Sequence, residues 1–293
     1  MKEKKATLLA IAGNIILFIS KIIVGILYNS IAIISDALNS FTDIIASLVV
    51  HISIIVSYQR PDSGHQFGHK RAQPIAGLIV AIFTGIVGFE VITASIRRLL
   101  DGQTAQQGIP PIVITFVVII IKAALYVYTK IIYNKTKSTA LLASSIDHRN
   151  DMLISFTVLI GVIATFFGYP ILDPIVAVII GIWIIKSGFD IGMDNIKYLM
   201  GVPPSENLFE KIEEHAKSVP GVIGLNDVRA HYVGTQIEAE VHIYVNNKLN
   251  IRKAHDLGKV VQKKVEGIPD ISRAFIHIDP FNGKFIRKRK FKT

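Results

Sequence analysis

The sequence contains no cysteine among its 293 residues. This absence excludes disulfides, thiolate metal sites and cysteine nucleophiles, so any bound metal must be held by oxygen atoms and imidazole nitrogens. The sequence also lacks an HExxH zinc motif and a GxSxG nucleophile elbow. Because no nucleophile and base pair stands out either, we predict that the protein is not an enzyme and carries no prosthetic group.

Charged residues are scarce. They make up 18% of the chain, against roughly 25% in an ordinary soluble domain. Hydrophobic residues make up 51%, and the mean hydropathy is +0.47. A soluble chain of this length cannot bury so much apolar surface, so the composition predicts a membrane protein.

The charges that are present are mostly basic, and the formal net charge is +10. A nucleic-acid-binding domain concentrates such charge on one face. Here the basic residues are scattered over polar breaks and the tail Arg287–Lys290. We therefore predict no nucleic-acid partner, and we attribute the excess to cytoplasmic loops of a membrane protein.

Apolar runs recur along the first 200 residues. A bilayer core of about 30 Å needs roughly 20 apolar residues per helix, and six segments reach this length: about 7–28, 31–57, 73–99, 110–133, 139–167 and 171–197. The first run is longer than the h-region of a signal peptide, which has about 7–15 residues. The sequence thus predicts a transmembrane domain over residues 1–202 and a cytoplasmic domain over residues 203–293.

Basic residues also predict the orientation. They precede the first segment and lie between the second and third and between the fourth and fifth, at Lys2, Lys4, Lys5, Arg60, Lys70, Arg71, Lys130, Lys135 and Lys137. The breaks Tyr28–Ser30 and Gly168–Pro170 carry no positive charge. The positive-inside rule then predicts a multi-pass protein of the cell membrane with both termini in the cytoplasm.

The second and fifth segments carry acidic side chains at predicted bilayer depth. Asn39 and Asp43 are four residues apart, as are Asp147 and Asp151, so each pair shares one helix face. A carboxylate at this depth costs about 2.5–3.5 kcal/mol on insertion scales, and several together need a counter-charge. If the two faces meet, they form an oxygen cage for a cation, with Asp36 as an entry or accessory position.

The polar residues of these two segments are compatible with more than one role. Intramembrane asparagine and serine often serve only to pack helices together. The carboxylates would also suit a passive water-filled cavity or a passive divalent-cation channel. Coupling separates these classes, since counter-transport stops when the proton gradient is collapsed and channel flux does not.

Over essentially its whole length the chain resembles the cation diffusion facilitator family. The resemblance rests on the six segments, on the pairs Asn39-x3-Asp43 and Asp147-x3-Asp151, and on the motif Ile276–Pro280. It implies a homodimeric, proton-coupled exporter of divalent transition metals whose transport site is formed by these four residues. Clustered carboxylates bind protons when the metal is absent and release them when it binds, which provides antiport by alternating access.

The ligand types predict which metal is carried. In zinc-transporting members of the family that this chain resembles, the first pair usually begins with aspartate and the second with histidine. Here those positions hold Asn39 and Asp147. An all-oxygen set suits Mn²⁺ and resembles the manganese-exporting branch, so we predict Mn²⁺, with Zn²⁺ or Fe²⁺ as alternatives. His148 is about 100° round the helix from Asp147. We expect it to lie off the site, and the alternative is that a local unwinding brings it in as an accessory ligand.

A second candidate metal site lies in the loop after the second segment. Asp62, His65 and His69 stand within a glycine-containing stretch, and they resemble a second metal site of the family. The resemblance implies weak metal binding with a gating or capture role. The alternative is that the turn needs only its shape and that both histidines are solvated.

The last 91 residues show mixed periodicity. Helical spacing over 208–219 and 251–265, with strand patterns over 224–231, 236–245 and 274–278, predicts an αββαβ order. This order resembles the ferredoxin-like, metallochaperone-type dimerisation domain of the family. His242, His255, His277 and Asp279 align with its cytoplasmic metal site, and His231 and Glu240 are accessory candidates. The resemblance implies a regulatory site, and the alternative is a sheet with surface histidines.

Overall fold

The computed structural model describes residues 2–27, 31–101, 109–167, 169, 171–234 and 236–283. The chain divides into two compact units, Met1–Ile196 and Lys197–Thr293. The basic tail at residues 287–290 lies outside the described residues.

Six long helices follow one another along the first part of the chain. They are α1 (Lys2–Leu27), α2 (Ile31–Ser57), α3 (Ala72–Asp101), α4 (Ile109–Thr136), α5 (Thr139–Phe166) and α6 (Leu172–Leu199). Each coincides with a predicted segment but most extend beyond it. α1 includes the charged residues Lys2–Lys5, which are poor in hydropathy but are good helix formers.

Three helices of the described part are long and apolar enough to cross a membrane, over Lys2–Val24, Ala72–Asp101 and Ile112–Thr136. In α2 the described apolar stretch is the shorter Asp43–Ser57. The prediction of a membrane helical bundle is therefore confirmed. The count of six crossings stays a prediction.

Many large apolar side chains lie on the outside of the bundle, and several charged and polar ones are buried inside it beside an apolar core. Ile16, Ile23 and Phe116 are more than half exposed, as lipid-facing residues would be. Lys122 and Asp43, by contrast, are buried. α1 packs on α2 and α4, and α5 packs on α2, α3 and α4, so α2, α4 and α5 enclose a shared polar interior.

Helices α3 and α6 approach each other closely at glycines. A Cβ placed on Gly88 would lie 3.0 Å from the backbone oxygen of Gly181 and 2.8 Å from the Ile185 side chain. A Cβ on Gly188 would lie 3.0 Å from the backbone oxygen of Ala81. Small residues allow this approach, since close van der Waals packing drives helix association in lipid.

The second unit contains α7 (Glu206–Lys217), β1 (Val222–Val233), β2 (Gln236–Asn246), α8 (Ile251–Glu266) and β3 (Ile271–Phe281). This is the predicted αββαβ order, with longer strands than expected. The sheet has the order β1-β2-β3, in which β2 pairs antiparallel with β1 and parallel with β3. α8 provides the crossover that a parallel pair requires.

Burial of one face holds this unit together. Ile212 of α7, Val241 and Ile243 of β2, and Val261 and Val265 of α8 are almost completely buried in one cluster. α8 begins at a true cap, where the Asn250 side chain accepts a 2.9 Å hydrogen bond from the Lys253 backbone N–H. The small α+β domain is thus confirmed.

The α3–α6 contact generates a paired prediction. We expect Gly88→Ala to lower the thermal unfolding midpoint, because overpacking against backbone costs about 1–3 kcal/mol. Gly85→Ala gains the same helix propensity, but its Cβ would meet no described atom within 4 Å. Thermal unfolding of both variants in detergent measures the difference, and equal midpoints would contradict the close contact.

Candidate metal centre

The strongest charge cluster lies inside the bundle, between three helices. The Lys122 ammonium on α4 donates to Asp43 Oδ2 on α2 at 2.8 Å and to Asp151 Oδ2 on α5 at 2.6 Å. All three side chains are buried, and Lys122 is only 1% exposed. The structure thus places a lysine between one carboxylate of α2 and one carboxylate of α5.

The other carboxylate of α5 lies next to this group. Asp147 Oδ1 accepts a 3.3 Å hydrogen bond from the Thr84 hydroxyl of α3. Ligand atoms of Asp147, His148 and Asp151 all lie within 4.8 Å of one another. Oxygen atoms and one imidazole nitrogen are thus near enough to share a single ion.

The position of His148 differs from the expectation. We expected this side chain to lie off the site, but the structure places one of its ring atoms beside the carboxylates of Asp147 and Asp151. It is fully buried, its Nε2 lies 3.4 Å from Ser144 Oγ, and its Nδ1 has no hydrogen-bond partner among the described residues. The 100° step between neighbouring residues separates their Cα–Cβ directions, but an imidazole is long enough to bridge that separation.

Two of the predicted positions cannot be placed in the same detail. Asn39 and Asp36 belong to α2, but their side chains lie outside the described residues. The α1 side of the cluster is described: Asn14 Nδ2 donates to Ser47 Oγ at 2.9 Å, and Lys21 Nζ donates to Ser40 Oγ at 2.9 Å. α1 therefore contacts the polar face of α2 through hydrogen bonds.

The three candidate ligands of the loop after α2 lie close together in the structure. Ligand atoms of Asp62, His65 and His69 lie within 4.8 Å of one another, with the two imidazole centroids 4.4 Å apart. Asp62 Oδ1 accepts hydrogen bonds from the backbone N–H groups of His65 at 2.7 Å and Gly64 at 2.9 Å. The His65 bond is the main cause that lowers the pKa of Asp62 below its ordinary value of 3.8, so this carboxyl group is ionised and able to ligate at neutral pH.

A third group lies on the sheet of the second unit. The parallel register places His242 on β2 beside His277 on β3, with ring centroids 4.5 Å apart. Asp279, on the same strand face as His277, approaches both rings: its Oδ1 lies 3.2 Å from His277 Nε2 and its Oδ2 lies 3.6 Å from His242 Nδ1. Asn226 holds the carboxylate from β1 with a 2.9 Å hydrogen bond.

The remaining candidates of this unit divide into two kinds. Glu240 Oε1 lies 3.0 Å from His242 Nε2, so it adjoins the group as an accessory residue would. His255 lies on α8 beside Lys259 and Arg273 in a separate groove, and the described group that brings ligand atoms together is His242, His277 and Asp279. His231 lies near Gly201, where an added Cβ would be 3.3 Å from its ring.

Sequence reasoning missed Lys122. The signal was available, because this lysine interrupts the apolar run Ile112–Val127 of α4 at a depth where a lone ammonium is costly. The carboxylates of α2 and α5 required a counter-charge, and sequence reasoning assigned it to the transported metal alone. It missed Arg149 too, whose guanidinium lies 4.4 Å from the Trp183 ring centroid and donates to Ser187 Oγ at 3.2 Å.

A membrane helical bundle with clustered carboxylates at its centre and a small α+β domain defines a class of ion transporters. Two family models match the chain: the cation efflux transmembrane domain over residues 7–200 and the cation efflux protein cytoplasmic domain over residues 204–281.

Similar proteins cover nearly the whole chain. An uncharacterized transporter of Methanocaldococcus jannaschii is 32% identical over 280 residues, covering 95% of this chain and 99% of that protein. The manganese efflux system protein MneS of Bacillus subtilis is 29% identical over 286 residues, covering 97% of each. A solved MamM C-terminal domain is 34% identical with a TM-score of 0.26, covering 26% of this chain and 96% of that one.

The chain therefore belongs to the cation diffusion facilitator family. It is a metal cation efflux transporter of the membrane, with divalent metal ions as its substrates.

The sheet cluster generates a binding prediction. We expect Asp279→Asn to remove one metal-binding equivalent from the full chain, because both of its carboxylate oxygens face a histidine. Asp256→Asn, on the exposed surface of α8, is the matched control and should leave the count unchanged. Calorimetric titration with Mn²⁺ and with Zn²⁺, in chains that also carry Asp43→Ala and Asp62→Asn, measures the count. Retention of the equivalent in Asp279→Asn would show that this group is not a metal site.

Proposed function

We propose that this protein exports Mn²⁺ from the cytoplasm in exchange for protons by alternating access, through an intramembrane site formed by Asn39, Asp43, Asp147 and Asp151. One observation carries the proposal: carboxylates from α2 and α5 converge in the buried interior of the bundle. Asp43 and Asp151 share one ammonium group, and Asp147 is close enough to Asp151 to share an ion.

Manganese is favoured by the chemistry of the donors. Carboxylate and amide oxygens suit Mn²⁺, whereas imidazole suits Zn²⁺ and its neighbours. The similarity to a protein named for manganese efflux supports the same choice. Because Zn²⁺ binds most sites more tightly than Mn²⁺, selectivity for Mn²⁺ must come from geometry, coordination number and metal availability.

A specific observation favours Zn²⁺ as the second candidate. A ring nitrogen of the buried His148 lies within 4.8 Å of carboxylate oxygens of Asp147 and Asp151, and its Nδ1 is without a hydrogen-bond partner among the described residues. If this nitrogen coordinates the ion, the donor set becomes mixed and approaches the nitrogen and oxygen set that Zn²⁺ prefers. The identity of the transported metal therefore depends on whether His148 is a ligand.

Protons are the natural counter-ion for such a site. Carboxylates must be deprotonated to bind a metal, so metal binding releases protons and proton binding expels the metal. Asp43, Asp147 and Asp151 would carry both cargoes in turn, and Asn39 would supply only a neutral oxygen. This exchange distinguishes an antiporter from a passive channel.

The surroundings of the site complete the proposal. The positive-inside pattern predicts that both termini lie in the cytoplasm, so efflux would move metal outwards through the cell membrane. The chain would act as a homodimer joined through its cytoplasmic domain, which matches a cation efflux cytoplasmic domain model. Metal on His242, His277 and Asp279 would report the cytoplasmic concentration, and Asp62, His65 and His69 would capture metal weakly.

The transport site is tested by removing its α2 carboxylate. We expect Asp43→Ala to reduce Mn²⁺-driven proton flux in proteoliposomes by at least about 100-fold, since loss of even an outer-shell partner of a metal site costs about 10–100-fold. Glu90→Gln is the control, because it removes an exposed acid of α3 outside the cluster. Mn²⁺ flux that survives in Asp43→Ala, or that persists when the proton gradient is collapsed, would contradict the proposal.

Metal choice is tested with two substitutions on α5. We expect Asp147→His to raise Zn²⁺ transport relative to Mn²⁺, because it adds an imidazole to an oxygen site. His148→Ala should leave Mn²⁺ transport largely intact. Competition between the two metals in proteoliposomes measures the ratio. If His148→Ala instead abolishes transport of Zn²⁺ carried by the unmodified chain, Zn²⁺ is the substrate and His148 is a ligand.

A further inference from the structure

Lys122 occupies the place in which the proposed function would put the metal. Its ammonium nitrogen lies 2.8 Å from Asp43 Oδ2 and 2.6 Å from Asp151 Oδ2, which are charge-assisted hydrogen-bond distances. One oxygen belongs to α2 and the other to α5, so the lysine joins the two helices that carry the site.

The placement is costly unless it serves the site. Lysine is rarely buried, and an ammonium at bilayer depth is among the most unfavourable groups in a membrane helix. α4 supplies none of the residues of the proposed metal site, yet this lysine is 1% exposed and points into the cluster. The ammonium neutralises part of the negative charge of the carboxylates and so reduces their mutual repulsion.

A lysine and a metal ion cannot hold these two oxygens together. A divalent ion binds carboxylate oxygen at roughly 2.0–2.2 Å for Zn²⁺ or Mg²⁺, and an ion shared by Asp43 Oδ2 and Asp151 Oδ2 would overlap the ammonium group. Two cations at that separation also repel each other strongly in a buried site. One of the two must leave when the other binds.

We propose that Lys122 is a tethered counter-cation, which holds the Asp43 and Asp151 carboxylates when metal is absent and is displaced when a divalent ion binds. The four-carbon stem of lysine is flexible, so its ammonium can withdraw while the helix stays in place. This inference rests on the proposed function of the same site.

Two consequences follow for transport. A site that is free of the lysine only part of the time binds metal more weakly by that fraction, so Lys122 lowers the apparent affinity. The returning ammonium competes with the ion for its ligands, so Lys122 also promotes release. Lys122 is therefore a positioning residue that lowers the apparent affinity for metal and raises the rate of transport.

The test measures metal binding and stability of the purified full chain, with Lys122→Met and with Lys130→Met as the control. Lys130 lies on the same helix, eight residues further on, with its ammonium 5.0 Å from the Tyr133 ring centroid. All chains carry Asp62→Asn and Asp279→Asn, so that Mn²⁺ titrates the intramembrane cluster.

We expect Lys122→Met to bind Mn²⁺ at least about tenfold more tightly and to turn over more slowly at saturating Mn²⁺ in proteoliposomes. Its thermal midpoint should fall without metal and match that of the parent chain when saturated with Mn²⁺, because the lysine no longer contacts the site in the loaded state. Lys130→Met should resemble the parent chain throughout.

Unchanged or weaker Mn²⁺ binding, or a midpoint lowered equally with and without metal, would overturn displacement and leave Lys122 as a fixed structural cation. If Lys122→Met does not fold without metal, Lys122→Gln keeps hydrogen-bond donors without charge and carries the same expectations. The proposed function fails separately, if the parent chain does not bind Mn²⁺ or if Asp43→Ala still binds it.

Discussion

The buried contact between carboxylates and their counter-cation is the constraint on which the rest of this transporter depends. Asp43, Asp147 and Asp151 lie inside a bundle whose outer faces are apolar, so their charge must be balanced locally. In the structure Lys122 supplies that balance to Asp43 and Asp151. A buried ion pair of this kind adds little net stability, but loss of either partner leaves an uncompensated charge, which makes the cluster a natural point of exchange between cations.

The helical frame serves this cluster. α2 and α5 carry the carboxylates, α4 brings the lysine, and α3 contributes Thr84 to Asp147. Close glycine contacts also fix α3 against α6. The α+β unit, in contrast, is stabilised by an apolar core through the hydrophobic effect. Its histidine and aspartate cluster follows from the parallel register of β2 and β3.

The helical bundle and the α+β unit were predictable from sequence, because hydropathy and strand alternation are local signals. Asp43, Asp147 and Asp151 were identifiable because a carboxylate within a membrane helix marks an ion or proton path by default. Side-chain reach was not predictable. Helix angles placed His148 off the site. The role of Lys122 depends on α4 lying against α5 and on a side chain that reaches Asp43 of α2, which no local pattern states. His255 shows the same limit: the family resemblance grouped it with His242, whereas the ligand atoms that lie together in the described part belong to His242, His277 and Asp279.

The central claim is that α2 and α5 together hold one divalent ion within the bundle. The most direct measurement is an anomalous difference map from crystals of the full chain grown with Mn²⁺. The account predicts a peak between Asp43, Asp147 and Asp151, with the Lys122 ammonium withdrawn from both oxygens. Peaks confined to the loop and cytoplasmic clusters, with Lys122 still bridging Asp43 and Asp151 at saturating Mn²⁺, would contradict it.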